Sequence, residues 1–471
     1  MKLLTDITPL REHPQFRRLF VGTALSGIGS ALTSFAVPLQ VYDLTHSSFA
    51  VGAIGAVTVV PVLVVGLLGG SVLDAVDRRK LVLACTGALA VISAALAAQA
   101  LARLAVVWPL YLLVAASAAI SAVNIPARRT FVASLLPADS MAAGLALNRL
   151  SLQLTMVVGP TLAGVITAAA GGHLQACYLI DVVSFAAALY GVARLPAMPP
   201  RPGAARPGLR AVAEGVRFIR RSQVLAGAFL ADLDAVVFGL PVALFPAINA
   251  ERFGGRPATL GLFTAAIGVG GLVSSALTGP VSRVVRQGLV MLATVAIWGA
   301  AFAGFALARS LWLTLSMLAI AGAADTFTVV FRSTIVQAET TEALRGRLTT
   351  AEYVMSVGGD SLGRLESGAV GSLTSPVVAA LSGGLATVVL AGVIGVALPG
   401  FARYRAGSGP APSLETLGPE TLNPETLNPE TLDPHTLSPQ TLDPQTLDPQ
   451  PPESPSLDLA AENEEQAAGA G

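Results

Sequence analysis

Apolar stretches of about 20 residues recur along this 471-residue chain from Leu19 to about residue 399, broken by short polar segments. Each stretch is long enough, at 1.5 Å rise per residue, to cross ~30 Å of hydrocarbon as a helix. The pattern predicts twelve such helices, near 19–42, 50–73, 81–102, 106–126, 141–167, 175–194, 224–247, 258–281, 288–308, 311–331, 351–373 and 377–399. The leading segment MKLLTDITPLREHPQF holds acids and a proline and has no apolar core, so it does not read as a cleaved signal peptide and is expected to stay in the cytoplasm.

Charge placement supports this count. With the N-terminus inside, the cytoplasmic segments collect Lys2, Arg11, Arg17, Arg18, the Arg78-Arg79-Lys80 run, Arg128, Arg129, the basic residues between Arg194 and Arg221, Arg283, Arg286, Arg332, Arg345, Arg347, Arg403 and Arg405. The opposite loops hold Arg103, Arg252, Arg256 and Arg309. That asymmetry predicts a multi-pass membrane protein with both termini cytoplasmic, and the abundance of Ala and Gly with only two lysines, Lys2 and Lys80, points to a bacterial cell membrane. Composition agrees: 53% of residues are hydrophobic, only 12% are charged, and mean hydropathy is +0.68. A water-soluble domain carries about 25% charged residues.

The formal net charge of zero hides two unlike parts, because 12 of the 29 acids lie beyond Arg405, where no Lys or Arg occurs. The basic excess of the body is spent on topology, so nucleic acid is not an expected partner. From Glu415 to Pro449 the pentapeptide x-Thr-Leu-x-Pro repeats seven times, which predicts a disordered, acidic, Pro-rich tail over 406–471. The remaining organisation reads as an N-terminal six-helix half (1–194), a linker (195–223) and a C-terminal six-helix half (224–405). Within the linker Leu209, Val212, Val216 and Ile219 recur at helical spacing among arginines, predicting an amphipathic helix on the inner membrane surface. The halves echo each other weakly. Gly159-Pro-Thr-Leu-Ala matches Gly359-Asp-Ser-Leu-Gly 200 residues later, and Arg129 and Arg332 both close an even-numbered span.

The most specific local pattern joins spans two and three: Gly69-Gly70-Ser-Val-Leu-Asp74-Ala-Val-Asp77-Arg78-Arg79-Lys80. It resembles the loop signature of the major facilitator superfamily, G-x-x-x-D-(R/K)-x-G-(R/K)-(R/K), with Ala75 in place of the first basic residue and Asp77 in place of the second glycine. That variation is similar to the branch containing macrolide-efflux proteins and enterobactin exporters. The likeness covers roughly residues 15–405, including Asn124-Ile-Pro-Ala-Arg-Arg129 and Leu365-Glu366-Ser-Gly368. The resemblance implies an all-α fold of two pseudo-symmetric six-helix bundles. It further implies an inner gate of Gly70, Asp74, Asp77, Arg78 and Arg79 that holds the bundles together in the outward-facing state. Gly159-Pro160 with Gly164 in span five forms a small-residue face with a local helix break, and resembles a motif of the superfamily's exporters. The alternative for each motif is plain: positive-inside anchoring for the first, ordinary close packing for the second.

Acids inside spans matter because an uncompensated charge in lipid costs several kcal/mol and usually faces a cavity or a partner. Asp232, Asp234, Asp325 and Glu366 are the candidates for proton coupling or substrate contact. Asp232 and Asp234 lie about 200° apart around a helix, so they cannot share a cavity. Asp360 and Arg364, at i and i+4, are expected to pair within their helix, leaving Glu366 as the better proton or substrate group in span eleven. Asp181, near the outer end of span six, reads as an interfacial residue.

Enzyme chemistry finds no support: HExxH, a Walker lysine loop and metal-spaced histidines are all missing, and Cys85 and Cys177 both sit in apolar runs. No cofactor or metal is expected, and without a nucleotide loop the energy source is an ion or substrate gradient. The expectation is a monomeric, proton-driven exporter of amphipathic drug-like or siderophore-like small molecules, working by alternating access in the lipid bilayer. A lipid or nutrient transporter of the same fold, and a transport-inactive scaffold or sensor with an acidic recruiting tail, remain the alternatives.

Overall fold

The computed structural model describes residues 6–68, 76–198, 209–277, 284–340 and 342–406. The acidic repeat tail, Gly70 and Asp74 lie outside them. After a short α1 (Thr8–Glu12), the N-terminal half comprises α2 (Pro14–Thr45), α3 (Ser48–Leu68), α4 (Arg78–Leu101), α5 (Trp108–Leu135), α6 (Ala138–Ala169) and α7 (Gln175–Ala193). Helix α8 (Leu209–Arg221) leads to α9 (Gln223–Phe238), a 3-10 turn (Val242–Leu244) and α10 (Phe245–Phe253). The chain ends with α11 (Pro257–Ala276), α12 (Gln287–Leu307), α13 (Leu311–Glu339), α14 (Glu342–Leu373), α15 (Pro376–Ala397) and the single turn α16 (Pro399–Ala402).

Eleven stretches among the described residues are long and apolar enough to cross a membrane, with α9 through α10 counting as one. Helix α14 is the twelfth, and is as long as α2 but interrupted by Asp360, Arg364 and Glu366. Neighbours flank it, α3 along one side and α9 and α15 along others. Local sequence sets the helix starts. Ser222, Ser310 and Ser375 accept the backbone N–H of Leu225, Leu313 and Val378 three residues on, and so cap α9, α13 and α15.

The observed helices run past the apolar windows at the end of the bundle that bears the N-terminus, called here the basic end. Thus α13 extends to Glu339 rather than stopping near residue 331, which turns Arg332 from a loop residue into a buried helical one. The expected break at Pro160 is also corrected, since α6 is continuous through it. The real break falls in span seven, where Gly239-Leu240-Pro241 separates α9 from α10 because Pro241 has no N–H with which to continue the helix.

Two six-helix groups pack internally, α2 on α7 and α4 on α7 in the first, α12 on α15 and α11 on α13 in the second. They meet along two seams, α3 against α14 and α6 against α11. Glycines make both seams close. A Cβ on Gly368 would stand 2.6 Å from the Ser48 carbonyl oxygen and 2.9 Å from the Gly52 Cα, and one on Gly164 would stand 2.7 Å from the Pro257 carbonyl oxygen. Pro160 contributes by what it lacks. Its missing N–H frees the Met156 carbonyl, and Gly268 of α11 lies so near that an added Cβ would be 3.1 Å from that oxygen.

Asp181 is not interfacial. It is 1% exposed, and its carboxylate accepts hydrogen bonds from Thr33 of α2 and Ser93 of α4, both 2.7 Å, and from Ser184 of α7. A single side chain thus joins three helices, so Asp181→Ala should leave buried hydroxyls without an acceptor at about 1–3 kcal/mol. The check is a melting curve in detergent, with the midpoint well below the parent's; an unchanged midpoint refutes the role.

Helix α8 forms where the spacing placed it, but its face differs from the expectation. Ile219 is buried with Leu225 and Phe229 of α9 and Leu348 and Ala351 of α14, while Val216 is exposed. Leu209 and Val212 carry no described side chains. The apolar face seen is therefore taken up by protein contacts with the C-terminal half.

Candidate functional site

Between the two groups lies a cavity of about 690 Å³. Its wall comes from α2 (Ala31, Phe35, Pro38), α6 (Gln153, Met156, Pro160), the α9–α10 break (Val236, Leu240, Phe245), α11 (Leu260, Thr264, Ile267), α12 (Trp298), α13 (Gly322, Asp325, Thr326) and α14 (Ser356, Asp360, Arg364). Most of this lining is apolar, with a few polar groups converging on it, which is the make-up of a small-molecule site. The break in span seven matters here. It aims Leu240, Val242 and Phe245 into the wall and places irregular backbone at the cavity, away from lipid, where a membrane helix tolerates it.

Asp325 stands in the wall, exposed to the cavity, and makes no hydrogen bond or ion pair with the described residues. Two turns along the same face of α13, Arg332 is 8% exposed and draws three helices together. Its Nη1 lies 2.5 Å from Asp232 Oδ2 of α9 and its Nη2 lies 3.0 Å from Glu352 Oε1 of α14, with Ser356 Oγ at 3.4 Å from Nη1. Asp232 thus has a fixed counter-ion, which the sequence did not supply. The predicted Asp360–Arg364 pair is present, Arg364 Nε to Asp360 Oδ2 at 3.0 Å, and both members line the cavity.

Glu366 is placed otherwise. It is half-buried and absent from the cavity wall, on the face of α14 shared by Leu362 and Leu373, which are 56% and 84% exposed. Asp234 points away from the cavity, as the 200° separation from Asp232 requires, and is 5% exposed. Among the gate residues, Asp77 caps α4 by accepting the backbone N–H of Arg79 and Lys80 and also that of Met198. Arg79 donates to the Ala193 carbonyl at 2.6 Å and Arg78 N–H to the Met198 carbonyl at 3.1 Å. These bonds stay within the N-terminal half and the start of the linker at Met198.

Arg332 was missed as a site residue because hydropathy ends span ten at residue 331, and Glu352, at the very start of the predicted span eleven, was not singled out. The available signal was Arg332 seven residues beyond Asp325, two turns along one helical face.

Residues 4–408 match the family described as transmembrane secretion effectors. The chain belongs to that family, a group of major facilitator transporters. It is 27% identical to the enterobactin exporter EntS of Citrobacter koseri over 403 residues, 85% of this chain and 96% of that protein. Against EntS of Escherichia coli the identity is 26% over the same shares. In fold, this transporter is similar to the nucleoside transporter NupG (TM-score 0.65, 15% identity, 83% of this chain and 99% of that one). It is also similar to a bacterial homologue of the iron transporter ferroportin in an inward-facing state (TM-score 0.63, 16% identity, 83% and 98%). The family and its relatives establish a multi-pass secondary transporter with an efflux role and a small-molecule substrate.

Proposed function

We propose that this transporter exports an amphipathic small molecule of siderophore or drug size from the cytoplasm, in exchange for protons. The observation that carries the reading is Asp325, a carboxylate that makes no hydrogen bond or ion pair among the described residues and stands in a largely apolar cavity shared by both halves. In such a wall an ionised carboxylate attracts either a proton or a polar substrate group, and occupancy by one weakens the other. Substrate release on one side and proton release on the other then follow from alternating access about the two seams. The Asp360–Arg364 pair across the cavity offers one acceptor and one donor, suited to a substrate with catechol, amide or hydroxyl groups on an apolar frame. Similarity to enterobactin exporters supports the siderophore class.

The basic loops support a cytoplasmic position for the N-terminal end of the bundle, and on this reading the two halves rock as units. In that frame Asp77, Arg78 and Arg79, engaged with their own half and the start of the linker and not with the C-terminal half, are a latch in its released position. Asp325→Asn tests the coupling. In proteoliposomes with an imposed pH gradient, parent protein should show proton flux that enterobactin or a hydrophobic fluorescent drug increases. The variant should bind the compound yet lose at least tenfold in compound-driven proton flux. Parental flux in Asp325→Asn removes the proposed coupling route.

A further inference from the structure

The most unusual polar group outside the cavity is Asp234. Both carboxyl oxygens are sealed from solvent and neither has a hydrogen-bond partner among the described residues. Its surroundings follow from its helical neighbours. Gly227, two turns earlier on the same face of α9, abuts Phe401 of α16, and the Phe238 carbonyl, one turn later, abuts Gly383 of α15. Ala235, the next residue, accepts a hydrogen bond from Trp298 Nε1 of α12 at 3.1 Å. Asp234 therefore faces the seam of α9 with α12, α15 and α16.

That seam contains a second orphan. Thr387 of α15 is fully buried and its hydroxyl has no partner among the described residues. Helices α9 and α15 run antiparallel with Phe238 beside Gly383, so one turn along each chain brings Asp234 and Thr387 to the same level.

The charges around the seam do not compensate an ionised Asp234. Helices α12, α15 and α16 carry no ionisable side chain. Those of α13 and α14 that meet α9, namely Asp325, Arg332, Glu352, Asp360 and Arg364, gather on the cavity side around Asp232. Arg286, Arg403 and Tyr404 flank α12 and α16 at the basic end, where Gly400 N–H meets Gln223 Oε1. This contact is eleven residues before Asp234 on α9, about 16 Å along the axis. An ionised carboxylate left alone there costs several kcal/mol, whereas a carboxylic acid carries no charge to compensate and, by turning towards the Thr387 hydroxyl at its level, with which it makes no hydrogen bond as the side chains stand, would satisfy both orphans.

We propose that Asp234 is a proton-binding site of the C-terminal bundle, separate from the cavity, which holds its proton while α9 is closed on α15 and releases it when the seam opens to water. The Gly239–Pro241 break supplies the hinge, because α9 ends four residues beyond Asp234 and swings independently of α10. By linkage, a site that is protonated only in the closed seam makes protons stabilise that closure. The inference extends the proton-coupling reading, and relies on it only for the role of the released proton in transport.

Infrared spectroscopy of the full chain in liposomes tests it without any transported compound. At neutral pH the parent should show a protonated-carboxyl C=O band that is absent in Asp234→Asn and present in Asp232→Asn and Asp325→Asn. The band should shift in D2O while the protein remains folded, and move to higher wavenumber in Thr387→Val as its hydrogen bond is lost. A parent spectrum identical to that of Asp234→Asn overturns the proposal. So does a band that exchanges only on unfolding, which marks a static buried acid. If Asp234→Asn fails to fold, Thr387→Val carries the test alone, and an unshifted band there overturns it. Failure of the cavity reading shows up differently, as parental flux in Asp325→Asn with the Asp234 band intact.

Discussion

Arg332→Ala is expected to be among the most damaging single substitutions in this transporter, lowering stability by about 3–5 kcal/mol. The arginine is 8% exposed and is the counter-ion of Asp232, whose side chain is 14% exposed, so its removal leaves an uncompensated charge between α9, α13 and α14. Glu352 is more open, at 27%, and suffers less. Removing the whole pair behaves differently. Arg332→Met with Asp232→Leu exchanges a desolvated ion pair for apolar contact of similar volume, and should recover most of the lost stability. Melting midpoints in detergent for the single and double variants decide this; equal destabilisation in both would show that volume, not charge, holds the junction. The double variant should still transport poorly, because the junction also fixes the register of α13, and with it Asp325, against α9 and α14.

The second large effect is expected at the α6–α11 seam. Gly164→Leu puts a branched side chain where a Cβ alone would stand 2.7 Å from the Pro257 carbonyl oxygen and 3.0 Å from the Ala258 Cα. The obstacle is backbone, which cannot rotate away, so overpacking by about 1–3 kcal/mol falls on the closed seam. That penalty applies only while the seam is closed. The variant should therefore fold and bind compound while transport falls at least tenfold, and distance measurements between spin labels on the two helices should report a wider seam. Normal transport with an unchanged label distance would refute the assignment of this seam as a moving contact.

Much of the architecture was readable from hydropathy and basic residues alone, because a bilayer forces long apolar helices and charge asymmetry on any chain that crosses it repeatedly. The Asp360–Arg364 pair was equally readable, since i,i+4 spacing fixes a contact without help from tertiary structure. The glycines around Pro160 announced close packing, although the helix runs straight through the proline. What the sequence obscured were contacts between distant helices. Nothing local to Asp181 says that Thr33 and Ser93 converge on it, and nothing local to Asp232 says that Arg332 reaches it across 100 residues. Glu366 carried the same kind of signal as Asp325, an acid in an apolar run. Only the rotation of α14, set by glycine contacts with α3 and α9, separates the wall of the cavity from its outer face.

Helix α14 has a bearing on how the chain is made. Asp360, Arg364 and Glu366 sit in its central and far-end turns, and each charge at the middle of a lone helix raises the free energy of entering lipid from the translocon by about 2.5–3.5 kcal/mol. Its remaining residues, rich in Gly and Ser, cannot offset that sum. During synthesis α14 must therefore be handed to the bilayer together with apolar companions, and α15, which has no charged residue and follows after two residues, is the nearest. A chain truncated just after Leu373 would leave its eleventh span stranded at the membrane surface, with the α3 glycine face uncovered and open to quality-control proteases.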